Sequence, residues 1–303
     1  MNIFEDIYGY SEWSSVSEIK KGWSSDKKYY IQNKDGQEFL LRLSDISELE
    51  KKRKENEILS KISKLNINMS MPLNFGECGN NTKVFSLLSW VNGEDSEKVL
   101  PTLTKETQYE LGIESGVILS KIHTIPAPEG LPNWYEKFNN KIDRNINSYN
   151  NCSIKIPNGE KIIKYLYSNR DLLISRKQSI QHGDYHVGNL LVNKNNKIGV
   201  IDFNRYDFGD PWEEFNRISF SHSVSVPFSV GQINGYFNNN VPVCFFKLLA
   251  LYMGTNALAS IPWAINYGEK EVNVMLTNSI NMMTYFNDFE SVIPTWFSSW
   301  KHY

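Results

Sequence analysis

Cysteine is scarce and scattered in this chain: three residues, Cys78, Cys152 and Cys244, with no C-x-x-C pair among them. That argues against a disulfide framework and against a cysteine zinc site, and it points to a reducing compartment, so the expected location is cytoplasmic. The five histidines show no metal-ligand spacing. Excess charge of one sign is also missing. The 32 Lys and Arg against 34 Asp and Glu give a net charge of −2, with no polybasic run for nucleic acid and no acidic tail. The opening Met1-Asn2-Ile3-Phe4-Glu5-Asp6 has neither the basic start nor the apolar run of a secretory signal. The most apolar stretch, Val241 to Ile265, carries Lys247, Asn256 and Pro262, and reads as a buried helix and its exit rather than a membrane span. No segment repeats. A length of 303 residues exceeds one ordinary core, which predicts one large two-lobed domain or two domains. Neither nucleic acid nor membrane is expected as a partner, and the oligomeric state cannot be read.

What is present is concentrated between His182 and Pro211. Asp184 is followed five residues later by Asn189, and thirteen residues beyond that Asp202 ends the apolar segment Ile198-Gly199-Val200-Ile201. Phosphoryl transfer uses such a set in this order: one acid accepts the proton of an attacking hydroxyl, while an Asn and a second acid hold Mg²⁺ on the nucleotide phosphates. The Asp-to-Asn spacing is that of the kinase catalytic loop, with Gly183 where protein kinases have Arg. Leu190-Leu191-Val192, the polar run Asn193 to Lys197 and the apolar segment after it predict a β-hairpin that returns Asn189 to the side of Asp202. An ordinary surface turn explains either half of this pattern, but not both halves in register.

Other stretches carry local structure. Lys34-Asp35-Gly36 signals a hairpin turn, and Phe39 to Leu43 the returning strand, with Leu40 and Arg42 on one face and Phe39, Leu41 and Leu43 on the other. Ser47-Glu48-Leu49-Glu50 reads as a capping box that opens a charged helix to Ile62. Strands are predicted around the Gly79-Asn80-Asn81 turn, and a helix from Thr104 to His123. Residues 1–18 read as a short helix or arm. Asp210-Pro211 reads as a helix start, with Glu213 and Glu214 in its first turn. Trp263, Trp296 and Trp300 are core candidates that could also meet a cation.

The run His182-Gly183-Asp184-x-x-x-x-Asn189, with Ile201-Asp202-Phe203 and then Phe208-Gly209-Asp210-Pro211, resembles the aminoglycoside phosphotransferase and choline-kinase-like superfamily of small-molecule kinases. The likeness extends from about Ile19 to Asn216. It implies an α+β, bilobal, protein-kinase-like fold. An N-lobe of antiparallel sheet and one helix would occupy residues 1–90, and a larger, mostly helical C-lobe residues 91–303. By resemblance, Gly22, Ser24 and Ser25 belong to the nucleotide loop, Leu40 faces adenine, and Arg42 reaches the α/β-phosphates in place of the commoner Lys. Glu55, rather than Glu57, pairs with Arg42, and backbone groups of Ser89 and Val91 meet the adenine edge. Lys27 or Lys28 is the alternative phosphate contact. Asp184 is the catalytic base and orienter, and Asn189 and Asp202 are the Mg²⁺ ligands. His182 and Asp210 support the loop.

These residues imply a phosphotransferase that moves the γ-phosphoryl group of ATP or GTP to a hydroxyl of a small molecule. An aminoglycoside-type antibiotic is the leading acceptor, and Glu213 and Glu214 are candidates to meet its ammonium groups. Choline or ethanolamine, a sugar such as a fructosamine or methylthioribose, homoserine and a macrolide are the alternatives. A nucleotide-binding pseudokinase that senses or scaffolds is the alternative of another class. A protein kinase fits less well, since Asp202 runs into Phe203-Asn204 rather than Phe-Gly and no A-P-E follows.

Overall fold

The computed structural model describes residues 3–20 and 26–300. The chain forms two compact units, residues 1–96 with 189–206, and residues 97–188 with 207–303.

The first unit is built on β1 (Trp13–Ile19), β2 (Lys27–Asn33), β3 (Glu38–Asp45), β4 (Pro72–Cys78) and β5 (Lys83–Ser89), an antiparallel sheet in the order β1-β2-β3-β5-β4. Strand alternation sends Leu41 and Leu43 into a core with Ile31, Phe85, Leu87 and Cys78, and Phe39 packs against it. Ile7 lies buried in the same core, with Phe4 and Trp13 beside it, so the residues that precede β1 cover one sheet face. β1 is the element that the reading of residues 1–18 as an arm did not resolve. Its five central residues are all exposed, as on an edge strand, and they carry no apolar alternation to read.

Helix α1 (Leu49–Ile62) follows a short helical turn at Ile46–Glu48. The capping side chain is Asp45, which accepts Ser47 N–H at 3.2 Å, two residues ahead of the Ser47 capping box. Asp45 also accepts Lys83 Nζ at 2.9 Å, so the helix entry is tied to β5. Strand β6 (Glu94–Asp95) precedes a one-turn helix, α2 (Ser96–Val99). After an excursion through the second unit the chain returns as the hairpin β8 (Leu190–Val192) and β9 (Ile198–Val200), turned by Asn193, whose side chain accepts Asn195 N–H and Lys197 N–H. β8 pairs with β6, and Val200 bridges Met69. Residues 91–96 and this hairpin therefore group with the sheet, where the sequence had suggested a boundary at residue 90.

The second unit contains α3 (Lys105–Ile122), α4 (Trp134–Asn150), α5 (Gly159–Asn169), β7 (Ser179–Gln181), β10 (Asp207–Gly209), α6 (Ile218–Val224), α7 (Val226–Tyr236), α8 (Val243–Ala264), α9 (Glu269–Tyr285) and α10 (Thr295–Ser298). Asp207-Phe208-Gly209 spells the metal motif of protein kinases, but here it is a strand paired antiparallel with β7. Helix α8 is long and apolar enough to cross a membrane, yet 72% of its most apolar window is buried within the protein. It is a core helix. α4 packs on it through Trp134 and Phe138, both against Tyr252, with Asn145 Nδ2 donating to Thr255 O at 3.1 Å. The three tryptophans do not gather: Trp263 meets Tyr267, Trp296 meets His222, and Trp300 stacks on Tyr109.

α3 and α7 cross at backbone contact. A Cβ on Gly112 would lie 2.2 Å from Phe228 O, on Gly116 2.1 Å from Gln232 O, on Gly231 2.2 Å from Tyr109 O and on Gly235 2.2 Å from Ile113 O. Four missing side chains let the helices touch, and that contact sets the position of Ser115, which anchors the loop described below. Gly116→Ala should therefore destabilise the fold by about 3 kcal/mol, at the upper end for overpacking. Thermal unfolding checks this, and an unchanged midpoint would contradict the packing.

Candidate active site

Arg42 projects from β3, the strand that pairs with both β2 and β5, and it is buried, 5% exposed. A buried guanidinium needs counter-charge with good geometry, and three carboxylates supply it. Asp26 Oδ2 accepts Nε at 3.0 Å and Nη2 at 2.8 Å. Asp202 Oδ1 accepts Nη1 at 3.0 Å, and Glu55 Oε1 stands 4.0 Å from Nη1. Burial works against the Arg42 charge, but Glu55, Asp202 and Asp26 more than offset it, so its pKa rises. Lys52, one turn before Glu55 on α1, is also buried; its Nζ donates to Asp26 Oδ2 at 2.7 Å and to Glu55 Oε2 at 3.1 Å. Ser44 Oγ donates to Asp26 Oδ1 at 2.7 Å.

The predicted residues of this unit thus come together in part. Glu55 is inside the cluster and Glu57 is exposed, but the hydrogen bond of Glu55 goes to Lys52. Lys28 lies directly opposite Arg42 in the β2–β3 ladder, on the same face. Leu40 pairs with Leu88 and Tyr30, and it lies outside the Leu41 core cluster. Ser89 N–H is given to Met71 O at 2.9 Å, so any contact of Ser89 with a base has to come from its carbonyl. Val91 is buried, and Trp90 packs edge-on against Tyr30. Gly22, Ser24 and Ser25 lie outside the described residues.

The β8–β9 hairpin carries the remaining pair. Ile201 N–H donates to Asn189 O at 3.1 Å, which draws the residue before Asp202 to Asn189. Asp202 adopts a left-handed backbone, φ 66° and ψ 59°, a conformation that costs a non-glycine residue about 1 kcal/mol and recurs at functional sites. Its carboxylate is 31% exposed, and its Oδ2 has no partner among the described residues. An amide oxygen and a carboxylate are hard donors, the set with which Mg²⁺ is bound when phosphate oxygens complete its octahedron. Asn189 and Asp202 fit that ion.

In the second unit the loop around Asp184 is fixed by buried groups. Gly183 has φ 82°, a conformation open to glycine at no steric cost, which accounts for its place where protein kinases carry Arg. Glu214 is buried and accepts Gly183 N–H at 3.0 Å and Tyr185 N–H at 3.3 Å. Burial pushes the Glu214 pKa up, but the neighbouring His123 and His182 and the Gly183 N–H more than offset it, so the net direction is down. His123 Nε2 lies 3.8 Å from Glu214, within ion-pair range but too far to hydrogen-bond. Tyr185 O–H donates to Ser115 O at 2.8 Å, and burial raises its pKa. Asp184 Oδ1 is 3.2 Å from Arg217 Nε and 3.5 Å from His186 Nε2. His186 Nδ1 accepts Gly188 N–H at 3.1 Å, which puts the proton of the neutral ring on Nε2, toward Asp184. His182, fully buried, accepts Asp184 N–H on Nδ1. Asp210 accepts Arg176 Nε and Nη2 at 2.6 and 2.8 Å, Tyr252 O–H and Trp212 N–H, and Arg176 stacks 3.9 Å over Trp212.

Sequence reasoning missed Asp26, Lys52, Arg176 and Arg217. The first two read as a polar turn and a solvated helix face, and neither arginine lies in a recognisable motif. Glu214, considered for acceptor binding, is instead spent on loop backbone, and Glu213 pairs with Lys141 at 3.0 Å.

Asp26 links this geometry to acid stability. Burial alone would raise its pKa, but the Lys52 hydrogen bond, the Arg42 and Lys52 charges and Ser44 bring it from 3.8 to about 2. A depressed carboxylate contributes stability that is present above its ordinary pKa and lost as pH falls through the folded value, and Glu214 acts in the same direction. The unfolding midpoint should therefore hold above about pH 5 and drop steeply from about pH 4 toward pH 2. The drop should be shallower in Asp26→Asn. A midpoint that stays level through that window would contradict the pairing.

The family model described as the phosphotransferase enzyme family matches residues 15–243. No curated protein sequence matches the chain significantly. Solved structures do. The GDP complex of wild-type aminoglycoside 2'-phosphotransferase-IIIa aligns with TM-score 0.66 and 13% identity, over 92% of this chain and 94% of that one. ADP-bound aminoglycoside phosphotransferase APH(2'')-Ib gives 0.64 and 16%, over 92% and 98%. The gentamicin complex of APH(2'')-IIa gives 0.62 and 15%, over 92% and 97%. At these identities the likeness establishes the kinase-like fold, with its antiparallel sheet region and largely helical remainder. Together with the family match over most of its length, this makes the chain a small-molecule kinase that belongs to the phosphotransferase enzyme family.

Proposed function

We propose that this kinase transfers the γ-phosphoryl group of Mg·ATP or Mg·GTP to a hydroxyl of a small molecule in the cytoplasm, with an aminoglycoside-type antibiotic as the leading acceptor. The observation that carries the reading is the way Asp184 is held. Arg217 Nε and His186 Nε2 stand 3.2 and 3.5 Å from its carboxylate. Arg217 Nε also donates to Gly183 O at 3.2 Å, and Glu214 accepts the N–H groups of Gly183 and Tyr185 on either side of it. A carboxylate on a loop whose backbone is held by a buried acid is suited to orient a hydroxyl. That suits a loose phosphoryl transition state, in which positioning and charge neutralisation dominate. In this reading Asn189 and Asp202 hold Mg²⁺, Arg42 binds phosphate, and Leu40, Ser89 and Val91 border the base. The nucleotide- and aminoglycoside-bound states named for the neighbouring structures support the donor and acceptor classes.

One observation favours a second reading, an acceptor without several positive charges. The three carboxylates between Asp207 and Glu213 each meet a cation within the second unit: Asp207 with Lys137 at 3.4 Å, Asp210 with Arg176, and Glu213 with Lys141. Polycationic sugars are better held by unpaired acids, and this pairing suits a neutral metabolite such as a sugar.

The test is transfer from Mg·ATP and Mg·GTP to a panel of aminoglycosides, choline, amino sugars and macrolides. Asp184→Ala should lower turnover by about 10²- to 10⁴-fold while nucleotide still binds, and Asp202→Ala should be as damaging. Near-normal turnover of Asp202→Ala would sink the metal assignment. Nucleotide binding without any transfer would support a sensor instead.

A further inference from the structure

Arg42 offers its N–H groups along two edges, and the structure uses them differently. The Nε–Nη2 edge is closed by one oxygen, Asp26 Oδ2, at 3.0 and 2.8 Å. That oxygen also takes Lys52 Nζ at 2.7 Å, and its sister oxygen takes Ser44 Oγ. Nη1 faces Asp202 at 3.0 Å, with Glu55 at 4.0 Å. The Asp26 carboxylate is 4% exposed and that of Asp202 31%. One contact of Arg42 is therefore interior and over-determined, while the other goes to a partly exposed group. We propose that Asp26 is the positioning carboxylate of Arg42. It holds the Nε–Nη2 edge, so that Nη1 exchanges between Asp202 and a nucleotide phosphate. Glu55 hydrogen-bonds Lys52 and supports the Arg42 charge from 4.0 Å without fixing its orientation.

This rests on the kinase reading above and deepens it. Among the described residues, three carboxylates (Asp26, Glu55, Asp202) face two cations (Arg42, Lys52), and these five side chains together carry one net negative charge. With Asp202 engaged as a ligand of Mg²⁺, Arg42 Nη1 would be available to a phosphate oxygen while Nε and Nη2 stay on Asp26. Without Asp26 the guanidinium would have no fixed edge, and the flexible Arg stem would pay entropy on binding that the Asp26 contact has already removed. The residue assigned this task by sequence resemblance is a Glu on the helix, whereas the hydrogen-bonding geometry assigns it to Asp26, just before β2.

The experiment is a double-mutant cycle read by calorimetry of Mg·ADP binding to the full chain. Wild type is measured first; if it does not bind, the kinase reading and this proposal fall together. With wild-type binding in hand, Asp26→Asn should weaken Kd by about 10- to 100-fold, the usual range for an outer partner, with circular dichroism unchanged. In an Arg42→Ala background the same substitution should change Kd by less than about twofold. Equal losses in both backgrounds, or no loss in either, would overturn the assignment and leave the kinase reading standing. If Asp26→Asn fails to fold, Ser44→Ala replaces it. This milder change removes one donor from Asp26 Oδ1 and should weaken binding several-fold, only when Arg42 is present. An Arg42-independent or absent effect would again overturn the proposal.

Discussion

A guanidinium buried against a β-sheet must be neutralised where it stands, and this constraint organises the first unit. Arg42 is placed by strand register, since β3 alternation sends its neighbours Leu41 and Leu43 into the apolar core and Arg42 to the other face. Once there, it fixes what can surround it. Asp26 must be ionised, Lys52 must accompany it, and the β8–β9 hairpin must bring Asp202 within 3.0 Å. Replacing such an ion set by apolar residues is often neutral or favourable for stability. Its retention is therefore better explained by the chemistry it supports than by the fold.

The second unit faces the same constraint with the sign reversed. Glu214 and Asp210 are buried carboxylates; Glu214 is satisfied by the loop backbone itself, and Asp210 by side chains and backbone next to the loop's entry strand. Glu214 takes the N–H groups flanking Asp184. Asp210 takes Arg176, Tyr252 and Trp212 N–H, while its carbonyl takes Gln181 Nε2 at 2.8 Å. Tyr185 ties the loop to Ser115 on α3, whose own position is set by glycines that let α3 and α7 touch. Loop geometry thus depends on helix packing well away from the acid itself.

The hairpin between Asn189 and Asp202 was legible because it is local: two short apolar runs and a polar turn fix strand, turn and register together. The His182–Asn189 loop was legible because residue types and spacing carry its chemistry. Core alternation in β3 was legible for the same local reason. Asp26, Lys52 and Arg217 were not, because their roles depend on contacts between distant segments, and each reads as solvated charge when only its neighbours in sequence are known. Glu214 shows the limit from the other side. Its sequence context predicts a helix N-terminal acid, and a short helical turn does start at Glu213, yet its burial and its loop contacts come from tertiary packing. A strand leading into the turn after Ile19 was expected, but its extent back to Trp13 escaped because an exposed edge strand has no apolar pattern to declare it.

The most direct measurement is the ³¹P spectrum of the purified protein incubated with Mg·ATP or Mg·GTP and each acceptor of the panel in turn. The account predicts a new phosphomonoester resonance that grows in step with nucleoside diphosphate, requires Mg²⁺, and is absent with Asp184→Ala. Diphosphate accompanied only by inorganic phosphate, with no phosphomonoester from any acceptor, would contradict it.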